Sequence, residues 1–282
     1  MKAVVGGLRV YPVKSCRGIA VERSPVEARG LQHDRRWMIV DPAGTFVTQR
    51  TVPRMALVQV ALEGEGSAPR PGELPPAPDV LALRFPAMPE LRVPTRPPHD
   101  AATRAVTVWR DRVQAVDCGP EAAAWVTAAL GTPLALVYMP GDVQRAVNPK
   151  HARPGDLVGF ADGYPLLIAC VSSLQDLNAR MDAPLPMDRF RPNIVVHDTP
   201  PWAEDTWRRV EVGRLSIRVV KPCARCVITG TDQETAARGV EPMRTLSTFR
   251  RVDNDVLFAR NAIPDGDGTI AVGDAVTVFD EP

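Results

Sequence analysis

The chain has 282 residues, 45% of them hydrophobic and 24% charged, which suits one large or two ordinary domains with their own cores. Its formal net charge of +1 gives no general attraction to nucleic acid or to an anionic membrane, so we expect neither as a partner. Five cysteines at irregular positions do not indicate a disulfide framework, and we therefore predict a reducing, cytoplasmic location.

The chain reaches Lys14 and Arg17 before any apolar core of a signal peptide appears, so we expect no signal peptide.

Short β-type runs dominate the first 110 residues. Ten of the 29 prolines lie between Pro69 and Pro98, where missing amide donors and a fixed φ disfavour a helix or a central strand, and we predict a surface excursion there. Runs rich in β-branched and aromatic residues predict strands at 8–13, 37–40, 55–62, 80–85 and 106–109.

Two helices are predicted in the middle of the chain. The first begins at Pro120, a residue that suits the first helical turn, and ends at Gly131. The second begins with a capping-box pattern in which Ser172 caps the helix and Gln175 faces back toward it. The longest clearly apolar run, residues 165–171, is far shorter than the roughly 20 residues of a membrane-spanning helix.

Strands return after the second helix. Because strands cluster at both ends of the chain with few helices between them, the order favours a β-rich α+β fold over an alternating βαβ fold. The predicted strands in this part are 190–197, 210–220, 227–231, 256–262 and 271–279.

The most informative segment is Lys221-Pro-Cys-Ala-Arg-Cys226, which contains a CxxC pair. A tetrahedral zinc site needs four ligands, and no second CxxC or close Cys/His pair supplies the other two. A thioredoxin-like dithiol would open a helix after a strand, whereas residues 227–229 predict a continuing strand. The simplest interpretation is one thiolate on a soft metal, with Arg225 beside it to favour the thiolate and hold an anionic cofactor.

This segment resembles the cysteine segment of the MOSC-domain family of molybdenum-cofactor proteins. In that family the second cysteine coordinates molybdenum, so the resemblance implies Cys226 as metal ligand and catalytic residue, with Cys223 as a buried structural or redox neighbour. It also implies that Asp232 orients a pterin N–H or assists proton delivery. Two departures from the family pattern, Gly230 for a threonine and Gln233 for a proline, predict a looser loop.

The motifs Tyr11-Pro-Val-Lys-Ser15 and Asp34-Arg-Arg-Trp37 resemble the opening of the β-barrel domain that precedes MOSC in this family. The resemblance implies that Lys14, Ser15 and Arg35 contact the phosphate and pterin of the cofactor. An ammonium, a hydroxyl and a forked guanidinium together hold a phosphate well. Three further arginines are predicted to be solvated surface charges, although one of them ends a Thr-Gln-Arg segment that resembles the family's T-x-R: Arg36, Arg50 and Arg54.

A second signature is Phe190-Arg-Pro-Asn193. Polar side chains inside an apolar strand need partners, and the family aims these two, Arg191 and Asn193, at the pterin. The free N–H groups at the start of the second helix form a potential anion site, so Ser172 and Ser173 are also predicted cofactor contacts.

The resemblance covers nearly the whole chain and implies its organisation. A β-barrel-like domain is expected over residues 1–119, followed over 120–282 by a MOSC β-barrel domain with a few short helices. The implied fold class is thus the same β-rich α+β class that the order of elements predicts.

The match is best to the subset containing the mitochondrial amidoxime-reducing components and their bacterial relatives. It implies a molybdenum-cofactor-dependent oxidoreductase that reduces amidoximes, hydroxylamines and N-hydroxylated bases. No clustered cysteines of a [2Fe–2S] domain follow the MOSC segment, so the electron donor is expected to be a separate ferredoxin, haem protein or flavoprotein reductase. The alternatives are a carrier of molybdenum cofactor or a sulfur-transfer protein, and a scaffold without metal.

Overall fold

The computed structural model describes residues 2–64, 77–98 and 100–279, which form β-sheets joined by loops and short helices. The helices are α1 (Pro120–Leu130), α2 (Val171–Asn178) and α3 (Met243–Phe249). The strands are β1 (Val4–Val10), β2 (Ile19–Val21), β3 (Arg23–Glu27), β4 (Gly30–Leu31), β5 (Trp37–Val40), β6 (Gln59–Glu63), β7 (Val80–Arg84), β8 (Leu91–Pro94), β9 (Thr103–Val108), β10 (Asp111–Asp117), β11 (Ala135–Tyr138), β12 (Leu166–Cys170), β13 (Ile194–His197), β14 (Arg209–Val212), β15 (Leu215–Ala224), β16 (Arg251–Val252), β17 (Asp255–Pro264), β18 (Gly268–Ala271) and β19 (Val276–Phe279).

The largest sheet combines strands from both ends of the chain. Its order is β19-β14-β15-β17-β12-β13-β1-β2, with β16 added on β17. Strand β1 pairs antiparallel with β13, with Leu8 opposite Ile194, and β12 runs parallel to β13. Apolar side chains on one face of this sheet form a core. The pairing brings the segment that follows β1 close to the turn that precedes β13.

Three smaller sheets complete the β-rich α+β fold, and the predicted fold class is confirmed. Their orders are β5-β11-β10-β9, β6-β7-β8 and β18-β3-β4. Strands β7 and β8 lie within the proline-rich stretch, and Leu81, Leu83 and Leu91 are buried there. The predicted surface excursion is therefore wrong for these strands, because apolar residues between the prolines alternate into a core. The beginning of that stretch, residues 69–76, lies outside the described residues.

The first helix matches its prediction, but the second begins differently. Gly131 ends α1 with a left-handed φ of 79°. Helix α2 begins at Val171 after Cys170 and has no side-chain cap, so the predicted capping box is wrong. The Ser172 hydroxyl is instead hydrogen-bonded to the Thr199 hydroxyl, at 3.0 Å. None of the described helices has the length and apolar character needed to cross a membrane.

Tight turns shorten two predicted strands and replace a third. Residues Pro53–Leu57 form a 3₁₀ helix before β6, and Met187–Phe190 form another before β13. Residues Val227–Gly230 also form a 3₁₀ helix, so the strand predicted there is wrong. The carbonyl of Cys226 accepts hydrogen bonds from the amide and the hydroxyl of Thr229, at 3.1 and 2.9 Å, which curls the chain away from β15.

Candidate functional site

A pocket of about 170 Å³ lies where the segment after β1, the turn before β13 and the end of β15 meet. It collects side chains from distant parts of the sequence because β1 pairs with β13. Residues that sequence reasoning did not assign to a cofactor also line it, among them Arg50, Asp162 and Cys223. The predicted site residues that line the pocket are Lys14, Ser15, Arg35, Arg191, Asn193, Arg225 and Cys226.

Two thiols lie in the pocket wall. Cys226 stands between β15 and the 3₁₀ helix that follows, and the bonds from Thr229 to its carbonyl fix its backbone. Cys223 lies in β15 next to a register irregularity in the pairing with β17, a feature common beside functional sites. Both thiols are free and half-buried, so the prediction of a buried Cys223 is wrong. Cys223 lies within β15 and only a short 3₁₀ helix follows Cys226, so the pair does not open a helix as a thioredoxin-like dithiol does.

Arg225 contacts the first thiol rather than the second. Its Nη1 donates to the Sγ of Cys223 at 2.9 Å, and its Nη2 donates to the carbonyl of Phe190 at 2.7 Å. Its Nε is buried and has no partner among the described residues. Arg225 therefore holds the Cys223 sulfur against the pocket wall and keeps one donor free.

Lys14 is buried and ion-paired. Its Nζ donates to the Oδ1 of Asp162 at 2.5 Å and to the carbonyl of Phe160 at 2.7 Å. Burial lowers the pKa of Lys14, and Asp162 opposes that effect. Burial would raise the pKa of Asp162, but Lys14 and Arg50 hold it well below its usual range. The Asp162 carboxylate is thus ionised at neutral pH and shared between two cations.

Arg50 is the second cation paired with Asp162, and it lines the same pocket as the second thiol. Its Nη2 lies 3.0 Å from the Oδ2 of Asp162, and its guanidinium lies 4.9 Å from the centre of the Trp109 ring. Burial lowers the pKa of Arg50, but Asp162 and Cys226 together raise it above its usual value. The prediction of a solvated Arg50 is wrong. The Thr-Gln-Arg segment was the sequence signal that could have identified it.

Of the other two arginines predicted to be solvated surface charges, the prediction is wrong for Arg36 and right for Arg54, which is exposed. Arg36 is buried, and its Nη2 donates to the carbonyl of Met139 at 2.6 Å. The Arg54 guanidinium lies 5.2 Å from the centre of the Phe85 ring. Neither lines the pocket.

Arg35 and Arg191 are both stacked on one tyrosine. Each guanidinium lies 4.3 Å from the centre of the Tyr11 ring. Arg35 Nη1 donates to Asp34 Oδ2 at 2.6 Å. Burial lowers the pKa of Arg191 to about 10, so it remains a cation at neutral pH, and its Nη2 has no partner among the described residues. The backbones of Ser15, Arg35 and Arg191 are left-handed, with φ of 66°, 46° and 58°, a strained conformation that is concentrated at functional sites.

Asn193 lines the pocket, but its amide is already bonded within the protein. Its Oδ1 accepts from Arg35 Nη1 at 3.1 Å and from the amide of Leu167 at 3.2 Å. Its Nδ2 donates to the carbonyl of Arg9 at 3.1 Å. Asn193 therefore ties its own segment to strands β1 and β12 and orients Arg35. It lies in the turn before β13, because Arg191 breaks the predicted strand.

Three predicted site residues lie away from the pocket. The hydroxyl of Ser173 is fully buried and donates to Glu204 at 2.7 Å, while Ser172 bonds to Thr199. Asp232 accepts from the amide of Thr235 at 2.9 Å and from Arg189 Nη2 at 3.1 Å. Burial would raise the pKa of Asp232, but hydrogen bonds from its own loop lower it. None of these three residues lines the pocket that contains the thiols.

The loop after Cys226 is held firmly, so the predicted loosening is wrong. Gln49 and Gln233 are buried and exchange two side-chain hydrogen bonds, at 3.2 and 3.1 Å. Gln49 also donates to the carbonyl of Ser15 at 2.7 Å. A Cβ on Gly230 would meet the carbonyl oxygen of Gly239 at 2.5 Å. Both departures from the family pattern therefore suit the structure: Gln233 is hydrogen-bonded to Gln49, and Gly230 lies where a Cβ has no room.

The pocket is built for an anion. Buried N–H donors without a partner are costly in a protein, and charged donors bind carboxylate or phosphate strongly. The pocket wall contains one carboxylate, that of Asp162, and several cations. Three of them carry a buried nitrogen that has no partner among the described residues: Arg50 Nη1, Arg191 Nη2 and Arg225 Nε.

Comparison with known proteins identifies the family. Two family models match, "MOSC N-terminal beta barrel domain" over residues 2–133 and "MOSC domain" over residues 156–277. The mitochondrial amidoxime-reducing component 1 of Homo sapiens is 31% identical over 289 residues, which cover 96% of this chain and 82% of that protein. The chain belongs to the MOSC-domain family. The human mitochondrial amidoxime reducing component 2 is 32% identical over 259 residues, covering 88% of this chain and 73% of that protein.

Among solved structures, the crystal structure of APC1665, the YUAD protein from Bacillus subtilis, aligns with 98% of this chain and 94% of its own. Its sequence identity is 10% and its TM-score 0.44.

The MOSC models also bear on how the chain is divided. The prediction assigned α1 to the second domain, whereas Trp125 and Val126 of α1 pack on the same core as Val13 and Trp37. The first MOSC model extends to residue 133 and so includes α1. A boundary at 119/120 stays a prediction.

Proposed function

We propose that this MOSC protein is a molybdenum-cofactor-dependent oxidoreductase that reduces N-hydroxylated compounds, namely amidoximes, hydroxylamines and N-hydroxylated bases. One observation carries the proposal: free thiols share a small pocket with cations whose buried N–H groups have no partner among the described residues. The relatives named amidoxime-reducing components support it. A cytoplasmic location remains part of the proposal.

The residues present fit such a cofactor. A thiolate suits a soft metal, and Cys226 would be the protein ligand. Lys14, Ser15, Arg191 and Arg225 would hold the phosphate and pterin. The described residues contain no group of three or more His, Cys, Asp or Glu side chains placed to hold a metal, so its other ligands would come from the cofactor. When bound, the cofactor supplies the two-electron redox chemistry.

The reaction balances with two electrons and two protons. The N–O bond of R–NH–OH breaks, the nitrogen is reduced to R–NH₂, and the oxygen leaves as water. The electrons would come one at a time from a separate donor protein, a ferredoxin, a haem protein or a flavoprotein reductase. Because Lys14 and Arg50 keep Asp162 ionised, this carboxylate would accept a hydrogen bond from the substrate N–H group and would not supply a proton.

Benzamidoxime with a reduced viologen dye as electron source tests the proposal. Cofactor-loaded wild type should form benzamidine, and Cys226→Ala should lose this activity by more than 100-fold. Cys223→Ser, the matched thiol control, should keep measurable turnover. Loaded wild type without turnover would contradict the proposal. If it then donated its cofactor to an apo-enzyme, the carrier alternative would replace it, and a persulfide on Cys226 would favour sulfur transfer.

A further inference from the structure

A second, larger cavity adjoins the pocket. The two share Asp162, Gly163 and Tyr164 in their walls. Its volume of about 1150 Å³ is generous for a small-molecule site. Nothing in the proposed handling of the cofactor uses this cavity, although it adjoins the pocket that the thiols line.

An exposed tryptophan forms part of its wall. Trp109 lies at the tip of the β9–β10 hairpin, with 47% of its surface exposed and a left-handed φ of 57°. Glycine, asparagine or aspartate normally occupies such a position, because a large side chain is strained there. A strained and exposed aromatic residue beside a pocket indicates a role in binding.

The Trp109 ring is held in place from several sides. Its Nε1 donates to the Oδ1 of Asp162 at 3.2 Å. Phe46 lies 5.1 Å away, centre to centre, tilted by 51°, and the Arg50 guanidinium lies 4.9 Å from the ring centre. The ring is therefore an ordered platform, already connected to the carboxylate that both cavities share.

The same cavity has a positive wall. Its two carboxylates are neutralised by neighbours, since Asp111 lies 2.7 Å from Arg145 and Asp162 pairs with Lys14 and Arg50. Three further cations line it, and none of them belongs to an ion pair between described residues: Arg110, Arg112 and Lys221.

We propose that this cavity binds the substrate as a nucleotide, with the N-hydroxylated base stacked on Trp109 and the phosphate at Arg110, Arg112 and Lys221. Stacking on an aromatic side chain strengthens base binding roughly tenfold or more, and arginines are suited to phosphate. The inference rests on the proposed function, because the shared wall at Asp162 directs the N–OH group toward the thiols.

Calorimetric titration with cytidine 5′-monophosphate and with cytidine tests this site without any reduction step. Wild type should bind the nucleotide at least about tenfold more tightly than the nucleoside, and added salt should weaken that preference. Trp109→Gly, which accepts the left-handed backbone, should weaken both ligands about tenfold. Trp109→Asn is a second variant that tolerates this conformation, and Trp109→Phe should bind within about threefold of wild type.

A double variant and a matched control test whether the arginines bind the phosphate. Arg110→Gln with Arg112→Gln should reduce nucleotide affinity to the level of the nucleoside. Arg251→Gln removes an exposed arginine of β16 that lines neither cavity and should leave both affinities unchanged.

Equal affinity of wild type for both ligands, no binding of either, or unchanged binding in folded Trp109→Gly and Trp109→Asn would overturn the inference. Benzamidoxime reduction without nucleotide binding would overturn this inference alone. Nucleotide binding without reduction of any N-hydroxylated compound would overturn the proposed function, and with it the role of the nucleotide as substrate, but it would leave the cavity as a nucleotide site.

Discussion

At the scale of single residues, Asp162 determines whether the cations of the pocket can be buried. It pairs with Lys14, which is only 4% exposed, and with Arg50. Removing one partner of a buried ion pair leaves an uncompensated charge, which costs more than the pair itself contributes. Burial of the Lys14 ammonium would be unfavourable without a carboxylate, and its ion pair with Asp162 allows it to line the pocket.

Asp162→Asn should therefore destabilise the protein by about 2 kcal/mol at pH 7, below the full cost for a buried pair because Asp162 is half exposed. The folded-state pKa of Asp162 is depressed, so its contribution is complete above the unfolded pKa, about 4, and is lost as the pH falls below it. Urea unfolding at pH 7 and pH 3 measures the effect. The difference from wild type should shrink at pH 3.

Asp253→Asn is the matched control, because this aspartate is exposed and its backbone conformation, with φ of 52°, suits asparagine. It should leave the free energy of unfolding within about 0.5 kcal/mol of wild type. If Asp162→Asn behaved like this control at both pH values, the Lys14–Asp162 pair would not support the pocket.

Residues that line the pocket were predictable where a local motif contained them, as with Lys14, Ser15 and Cys226. The role of Asp162 in the pocket was not predictable from a local motif, because it depends on an ion pair with Lys14, which lies far away in sequence. The prediction that Ser172 caps α2 is wrong because its hydroxyl is hydrogen-bonded to Thr199, which is distant in sequence. A motif indicates the type of side chain, whereas the fold decides which of several polar side chains reaches the thiols.

At the scale of elements, the 3₁₀ helix and loop after Cys226 hold the thiol in position. Gly230→Ala should destabilise the protein by about 1–3 kcal/mol, because the new Cβ meets a backbone oxygen at 2.5 Å and the loop must shift. Gly239→Ala, whose Cβ would have its nearest neighbour at 3.9 Å, should cost much less. Chemical denaturation measures both. Equal costs would mean that this close approach does not hold the loop.

The Gln49–Gln233 pair fastens the same loop to the segment around Ser15. Gln49→Ala or Gln233→Ala alone leaves a buried amide without its partner, which costs about 1–3 kcal/mol. The double variant should cost less than the two single variants together, by about 1 kcal/mol. Denaturation of the four proteins of this cycle measures the coupling, and strict additivity would contradict a direct role for the pair.

Most strands were predictable from β-branched runs, while the tight turns were not. The strand at 37–40 and helix α1 agree with their predicted bounds. The run after Cys226 has strand propensity but curls, since the Cys226 carbonyl is bonded to Thr229. Such a local hydrogen bond overrides propensity, and composition alone does not show it.

At the scale of the whole molecule, the pocket joins parts that are remote in sequence. Lys14 and Arg50 come from the first quarter of the chain, whereas Cys226 follows β15. The sheet order β15-β17-β12-β13-β1, which brings β15 and β1 into one sheet, is a long-range feature that no run of residues encodes. The class of fold was therefore predictable, but the sheet order was not.

A ligand that bridges these parts should stabilise the molecule as one unit. At free cofactor about 100-fold above its dissociation constant, linkage adds about 2.7 kcal/mol, which corresponds to a rise in Tm of roughly 5–10 °C for a chain of this size. Thermal unfolding of cofactor-loaded and cofactor-free wild type measures it. Identical Tm values would contradict a cofactor held by both parts.

The most direct test of the account is the molybdenum content per protein, measured by elemental mass spectrometry on protein from a host that makes the cofactor. We expect near-stoichiometric molybdenum in wild type, at least a tenfold loss in Cys226→Ala, and retention in Cys223→Ser. Wild type without molybdenum would contradict the cofactor assignment. Undiminished molybdenum in Cys226→Ala together with loss in Cys223→Ser would move the ligand to the other thiol.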